Sequence, residues 1–203
     1  MAGPKQSGRC LMLSSYFLTH PHAPSRSTEA LECRAGESLI QYCVHLFDKQ
    51  FHVISVRFDI KTFDKNFDSE ATFDSEGFSQ SKSLVDDIVA REVASGIPHN
   101  RIILGGFSQG GAVTLYTGLQ AEYALGGLLV LSSWMPARWR FPAQLSSAAK
   151  GVPIWQGHGT MDPLIPLPLA QMSHEFLKGL GLSASLSTCV RGIVPLLLRC
   201  SCC

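Results

Sequence analysis

Charge is scarce in this chain. Asp, Glu, Lys and Arg make up 16% of its 203 residues, and the net charge is +1, where a typical soluble domain is about 25% charged. So balanced a set provides no basic face for nucleic acid or acidic lipid, and at most a transient contact with a membrane surface is expected. No run reaches the ~18 apolar residues of a membrane span. Met1 to Ser15 hold one Lys and one Arg but no sustained apolar core, which argues against a secretory signal. Cysteine is missing from the whole middle of the chain. The seven lie at Cys10, Cys33, Cys43, Cys189, Cys200, Cys202 and Cys203, an odd number that favours free thiols over a disulfide framework. No pair of C-x₂-C units stands at zinc-finger spacing, so neither a metal nor any other cofactor is expected. Cys200-Ser201-Cys202-Cys203 has the length of a prenylation box, but Ser and Cys occupy its aliphatic positions. These absences predict a soluble protein of the cytoplasm, or of cytoplasm and nucleus.

What is present is a single domain's worth of core, with 45% hydrophobic residues. The most informative stretch is Gly106-Phe107-Ser108-Gln109-Gly110. It fits the G-x-S-x-G nucleophile elbow, and its surroundings are those the elbow needs. Arg101 to Gly105 reads as a short buried strand, and Gly111 to Tyr116 as the opening of a helix. A serine on so sharp a turn is strained, and glycines flank it because a Cβ there would strike the neighbouring strand or helix. A near copy, Gly77-Phe78-Ser79-Gln80-Ser81, lacks the final glycine and follows an acidic polar run. Ser79 therefore reads as an ordinary residue near a helix start. Leu84, Val85, Ile88, Val89 and Val93 form that helix's apolar face, and Gly96 with Pro98 ends it.

Around these segments the order of elements is coherent. Strands are predicted at Phe51–Phe58, 101–105, 127–132 and 152–156, with helices through Val93, after Ser108 and from Leu167 to Leu180. Alternation of this kind implies βαβ units and a parallel sheet covered on both faces. Residues 29–50 and 189–203 are different in character, and both are expected to be less well packed than residues 98–180.

A serine hydroxyl needs a general base, usually a histidine oriented by a carboxylate. In elbow hydrolases the chain order is Ser, then Asp or Glu, then His. Asp162 is the best acid, in the loop Gly157-His158-Gly159-Thr160-Met161-Asp162-Pro163, which follows a predicted strand and so belongs to the ligand-binding edge of an open sheet. Taken alone it would be an Asp-Pro turn. The base is the difficulty. After Asp162 the only histidine is His174, on the predicted helix from Leu167, where it reads as a solvated helical residue. His158 precedes the acid and reads as a residue that shapes the loop.

Gly96-Ile97-Pro98, the run from Arg101 to Ala112, Leu131-Ser132-Ser133-Trp134-Met135-Pro136 and His158 to Pro166 together resemble the acyl-protein thioesterases, the lysophospholipase-type carboxylesterases of the α/β-hydrolase superfamily. The similarity runs from about Phe58 to Gly181, with a short further segment at Pro21 to Arg26. The resemblance implies a mostly parallel sheet with helices on both faces, in one domain spanning 1–203. It implies hydrolysis of long-chain acyl thioesters on S-acylated proteins, with lysophospholipids and small carboxyl esters as further substrates. Carried over by position, Ser108 is the nucleophile and Asp162 the acid. The backbone N–H of Gln109 is one oxyanion donor, and Trp134, Met135 and Leu164 wall an apolar acyl channel. Two family parts are missing. An early strand with its His-Gly-Leu-Gly-Asp loop is not found before Phe58, and no histidine lies in residues 189–203, beyond one further strand. The expectation is a truncated or alternatively spliced member, incomplete at its N-terminal strands and C-terminal strand and impaired in catalysis. A non-catalytic protein that binds an acyl chain or a partner is the alternative.

Overall fold

The computed structural model describes residues 9–14, 51–56, 58–60 and 69–190. Segment 29–50 lies outside them, as does 189–203 apart from Cys189 and Val190, so the packing expected there falls outside the described residues. Strands β1 (Arg9–Ser14), β2 (Phe51–Ser55), β3 (Ile102–Phe107), β4 (Gly127–Leu131), β5 (Ile154–Gly159) and β6 (Ala184–Cys189) form one sheet. Its order is β2-β1-β3-β4-β5-β6, and every neighbouring pair is parallel. Helices α1 (Ser75–Ala94), α2 (Gln109–Gln120) and α3 (Leu167–Gly179) connect them. The crossovers β3-α2-β4 and β5-α3-β6 advance the same way across the sheet, so their usual right-handed turn puts both helices on one face.

Two strands correct the expectation from sequence. A strand does precede Phe58 at the centre of the sheet: β1 pairs with β3 from Arg9↔Ile102 to Leu13↔Gly106. Its residues Arg9-Cys10-Leu11-Met12-Leu13-Ser14 are short and carry no turn signal, so only pairing on both sides identifies them. At the other end, β6 reads Ala-Ser-Leu-Ser-Thr-Cys, with only Leu186 as a large apolar residue. Pairing with β5 makes it a strand. It stands where the resemblance expects one further strand after Asp162.

Local chemistry accounts for the helix ends. Asp74 caps α1 by accepting the Gly77 N–H at 3.0 Å, the side-chain capping that acidic residues favour. The helix ends at Ala94, and the chain turns away at Gly96, whose φ of +99° suits glycine. Ser79 lies within α1, so the near copy is helical and not an elbow. The buried face of α1 steps through Phe78, Ser81, Val85, Val89 and Glu92. Glu92 pairs with Arg9 of β1 at 2.6 Å, and Phe78 stacks on Phe58 at 4.0 Å between ring centres. Leu11, Leu13, Leu104, Val113, Leu115 and Leu119 are fully buried where β1 and β3 meet α2, each contributing on the order of 1.5–3 kcal/mol. The best-covered part of the sheet thus carries the β3–α2 turn.

Candidate active site

Ser108 occupies that turn, as N-cap of α2 directly after β3, with φ 53° and ψ −120°. A non-glycine residue at positive φ stores strain on the order of 1–3 kcal/mol, so the surroundings must hold it there. They do so by crowding and by hydrogen bonds. A Cβ at Gly106 would fall within 3 Å of the Gly110 backbone, and one at Gly110 within 3 Å of the Leu13 carbonyl. The turn can therefore close only with glycine on both sides. Ser108 donates its N–H to the Leu131 carbonyl at 2.9 Å, and its own carbonyl accepts from Gly111 at 3.0 Å and Ala112 at 3.2 Å. A third donor to that carbonyl is the Ser133 hydroxyl, at 2.7 Å.

Gln109 is the first residue of α2, so its N–H has no acceptor within the helix. Its buried side chain reaches away from the turn and donates to the Phe58 carbonyl at 3.0 Å. The Gln109 N–H is one of the first N–H groups that make up the positive end of α2.

Asp162 follows β5 on the same carboxyl edge of the sheet as Ser108, with β4 between their strands. Its Oδ1 accepts the N–H groups of Leu164 and Ile165, both at 2.9 Å. Oδ2 is buried and has no hydrogen-bond partner among the described residues. The His158 Nε2 lies 3.8 Å from it but is 2.7 Å from the Ile165 carbonyl. His158 thus ties down the loop that carries the acid, in keeping with its reading from sequence. His174 differs from its reading: it is half-buried on α3, with Nδ1 3.3 Å from the Gln156 amide oxygen of β5. The helix lays it along the sheet, so it is partly rather than fully solvated.

The three residues expected to wall an acyl channel go to different places. Trp134 is buried and borders a small cleft whose lining is mixed, with Phe58, Ile60, Phe73, Phe78 and Pro136 beside Asp59, Thr72 and Asp74. Met135 is fully buried, and its N–H bonds the Ser173 hydroxyl of α3 at 2.8 Å. Leu164 is 65% exposed beside Asp162, and Met161 on its other side is 68% exposed. The acid is therefore framed by apolar side chains turned to solvent. Ser133 went unread in the sequence, because a contact between the ends of β4 and β3 leaves no local pattern.

A parallel sheet with a strained serine between a central strand and its helix, and a carboxylate on the same edge two strands away, defines an α/β-hydrolase. The chain belongs to the Phospholipase/Carboxylesterase family, whose pattern it matches over residues 56–195. It is 41% identical over 120 residues to acyl-protein thioesterase 1 of Cryptococcus neoformans var. neoformans, covering 59% of this chain and 50% of that protein. It is 39% identical over 134 residues to acyl-protein thioesterase 1 of Gibberella zeae, covering 64% and 57%. The chain thus spans about half the length of the curated relatives it matches. Among solved structures it superposes on Arabidopsis thaliana SOBER1 with a TM-score of 0.67 at 22% identity, covering 92% of this chain and 90% of that one. On Zea mays acyl-protein thioesterase 2 the TM-score is 0.64 at 18% identity, covering 95% and 88%. These curated relatives are named acyl-protein thioesterases, and the structural neighbours share the fold.

Proposed function

We propose that this chain is a serine hydrolase of the acyl-protein thioesterase type, acting on long-chain acyl thioesters of protein cysteines and on lysophospholipid or small carboxyl esters. Ser108 Oγ attacks the acyl carbonyl, the Gln109 N–H stabilises the oxyanion that forms, and Asp162 is the carboxylate that orients a base. The observation that carries this reading is the +53° φ of Ser108 between β3 and α2. Strain of that kind persists where it serves a site. The exposed Leu164 and Met161 beside Asp162 provide apolar surface for a hydrocarbon chain. A cytoplasmic or nuclear place of action is part of the same proposal.

The proposal includes a low rate for these 203 residues. His174 is the only histidine after Asp162. It sits on the sheet face against Gln156, while Oδ2 of Asp162, which would face a base, is without a partner among the described residues. That pairing of observations also favours the second reading, a protein that binds an acyl chain without turnover. Two measurements on the same sample separate them: hydrolysis of a palmitoyl thioester, and labelling by a fluorophosphonate located by mass spectrometry. Turnover lost in Ser108→Ala, with the label on Ser108, supports the hydrolase. Binding of a palmitoyl peptide with neither turnover nor label supports the second reading.

A further inference from the structure

We propose that Ser133 is a positioning residue for the oxyanion donor: its hydroxyl grips the Ser108 carbonyl, and so orients and polarises the peptide unit whose other end is the Gln109 N–H. The inference rests on the assignment of Ser108 and Gln109 made above.

The end of β4 holds the nucleophile residue at both of its backbone groups. Leu131, the last residue of β4, accepts the Ser108 N–H at 2.9 Å. Two residues on, Ser133 donates its hydroxyl to the Ser108 carbonyl at 2.7 Å. The turn that allows this is itself held open at Ser132, which has a φ of +44° and donates its N–H to the Gly157 carbonyl at 2.9 Å. The side chain is also seated sterically. A Cβ at Gly111 would lie 2.6 Å from the Ser133 Cβ and 2.8 Å from its Oγ, so glycine at 111 leaves room for the hydroxyl to reach its acceptor. Ser133 is buried, and water does not compete freely for the bond.

The bond bears on catalysis because the carbonyl it reaches and the Gln109 N–H belong to one planar, conjugated amide. Each donor on the oxygen draws electron density from the nitrogen and makes its hydrogen a stronger donor, the cooperative effect of hydrogen-bond chains. Gly111 and Ala112 supply the two ordinary helical bonds to that oxygen. Ser133 supplies a third from outside the helix, which a helix N-terminus by itself does not have. The same segment continues to Met135, whose N–H is fixed by Ser173 of α3. The segment that carries Trp134 is therefore tied on one side to the peptide unit at the elbow and on the other to α3.

The test compares the 203-residue chain with its Ser133→Ala and Ser133→Cys variants by the amide proton shift of Gln109 in ¹H–¹⁵N spectra and by the second-order rate of fluorophosphonate labelling. Removing the hydroxyl should move the Gln109 proton upfield and slow labelling about tenfold, less than the ~10²–10³ for loss of an oxyanion donor outright. Cysteine, a weak donor, should fall between alanine and serine in both readouts. That gradation is what simple loosening of the loop would not produce. A Gln109 shift unmoved in Ser133→Ala, or cysteine no better than alanine, overturns the proposal. If Ser133→Ala does not fold, the serine-to-cysteine difference in the same two readouts decides. A wild-type chain that takes no label while its Gln109 shift moves in the variant overturns the hydrolase assignment and leaves the grip on the peptide unit standing.

Discussion

Asp162 Oδ2 and His158 Nε2 lie 3.8 Å apart, both buried, without forming a hydrogen bond. The Ile165 carbonyl is nearer to the imidazole, at 2.7 Å, and a carbonyl can only accept, so Nε2 carries the hydrogen and gives it to the backbone. The histidine beside the acid is committed to closing the loop. Asp162 in turn holds the loop through Oδ1 and leaves Oδ2 free of any donor among the described residues.

This arrangement separates two substitutions at the acid. Asp162→Asn keeps a carbonyl oxygen for the Leu164 and Ile165 N–H groups and removes a buried charge, so folding stability should stay within about 1 kcal/mol of wild type or rise. Asp162→Ala leaves those two N–H groups without their acceptor and should cost on the order of 1–3 kcal/mol. Urea unfolding of the three proteins checks this. Equal losses for Asn and Ala would mean that the turn bonds at Oδ1 contribute nothing.

Palmitoyl-thioester hydrolysis by the 203-residue chain should be slower than that of a family member with a complete triad by at least ~10³, because His174, the one histidine after Asp162, is turned to Gln156. Ser108→Ala should abolish what remains. His174→Ala should leave it unchanged, since that imidazole lies against Gln156 on the sheet face. Normal family rates in the unmodified chain together with a dead His174→Ala would make His174 the base.

Gly110→Ala should be among the most damaging single changes at the elbow. The added methyl would be driven into the Leu13 carbonyl of β1, and backbone cannot move aside as a side-chain end can. A loss of roughly 3 kcal/mol or more, or failure to accumulate as soluble protein, is expected. A melting temperature within a degree or two of wild type would show that β1 does not approach the elbow as closely as the structure places it.

Tyr123 offers a pH test away from the site. Burial first, then the Asp86 carboxylate and the hydrogen bond to it, raise its phenol well above the usual value of 10.0. The bond to Asp86 Oδ1 is 3.0 Å. Because the folded state keeps the proton that the unfolded chain loses, this contribution is full below about pH 10 and declines as pH rises toward the folded value. The stability of wild type over Tyr123→Phe should therefore be constant from pH 7 to 9 and shrink above 10. A difference that grows with pH would reverse the sign and the account.

The strand-turn-helix at Ser108, the placement of Asp162 after a strand and the alternation of strands and helices were legible because each is local. Gly106 to Gly110 carries the turn's steric demand in adjacent residues, and Gly157 to Asp162 carries a strand end and its loop. The stop of α1 at Gly96 and Pro98 is likewise written in residues a few positions apart, whereas its cap by Asp74 was not read from the sequence. What tertiary structure alone decided is everything that depends on partners far along the chain. Arg9 to Ser14 is a central strand because β2 and β3 flank it, and Ala184 to Cys189 is an edge strand because β5 offers it a ladder; backbone pairing of this kind has no side-chain signature. His174 became a half-buried residue through packing of α3 on Gln156, and Ser133 met the Ser108 carbonyl through the adjacency of β3 and β4. Periodicity reports which face of an element is apolar. It does not report which element lies beside it, because register and neighbourhood are set by the long-range closing of the sheet.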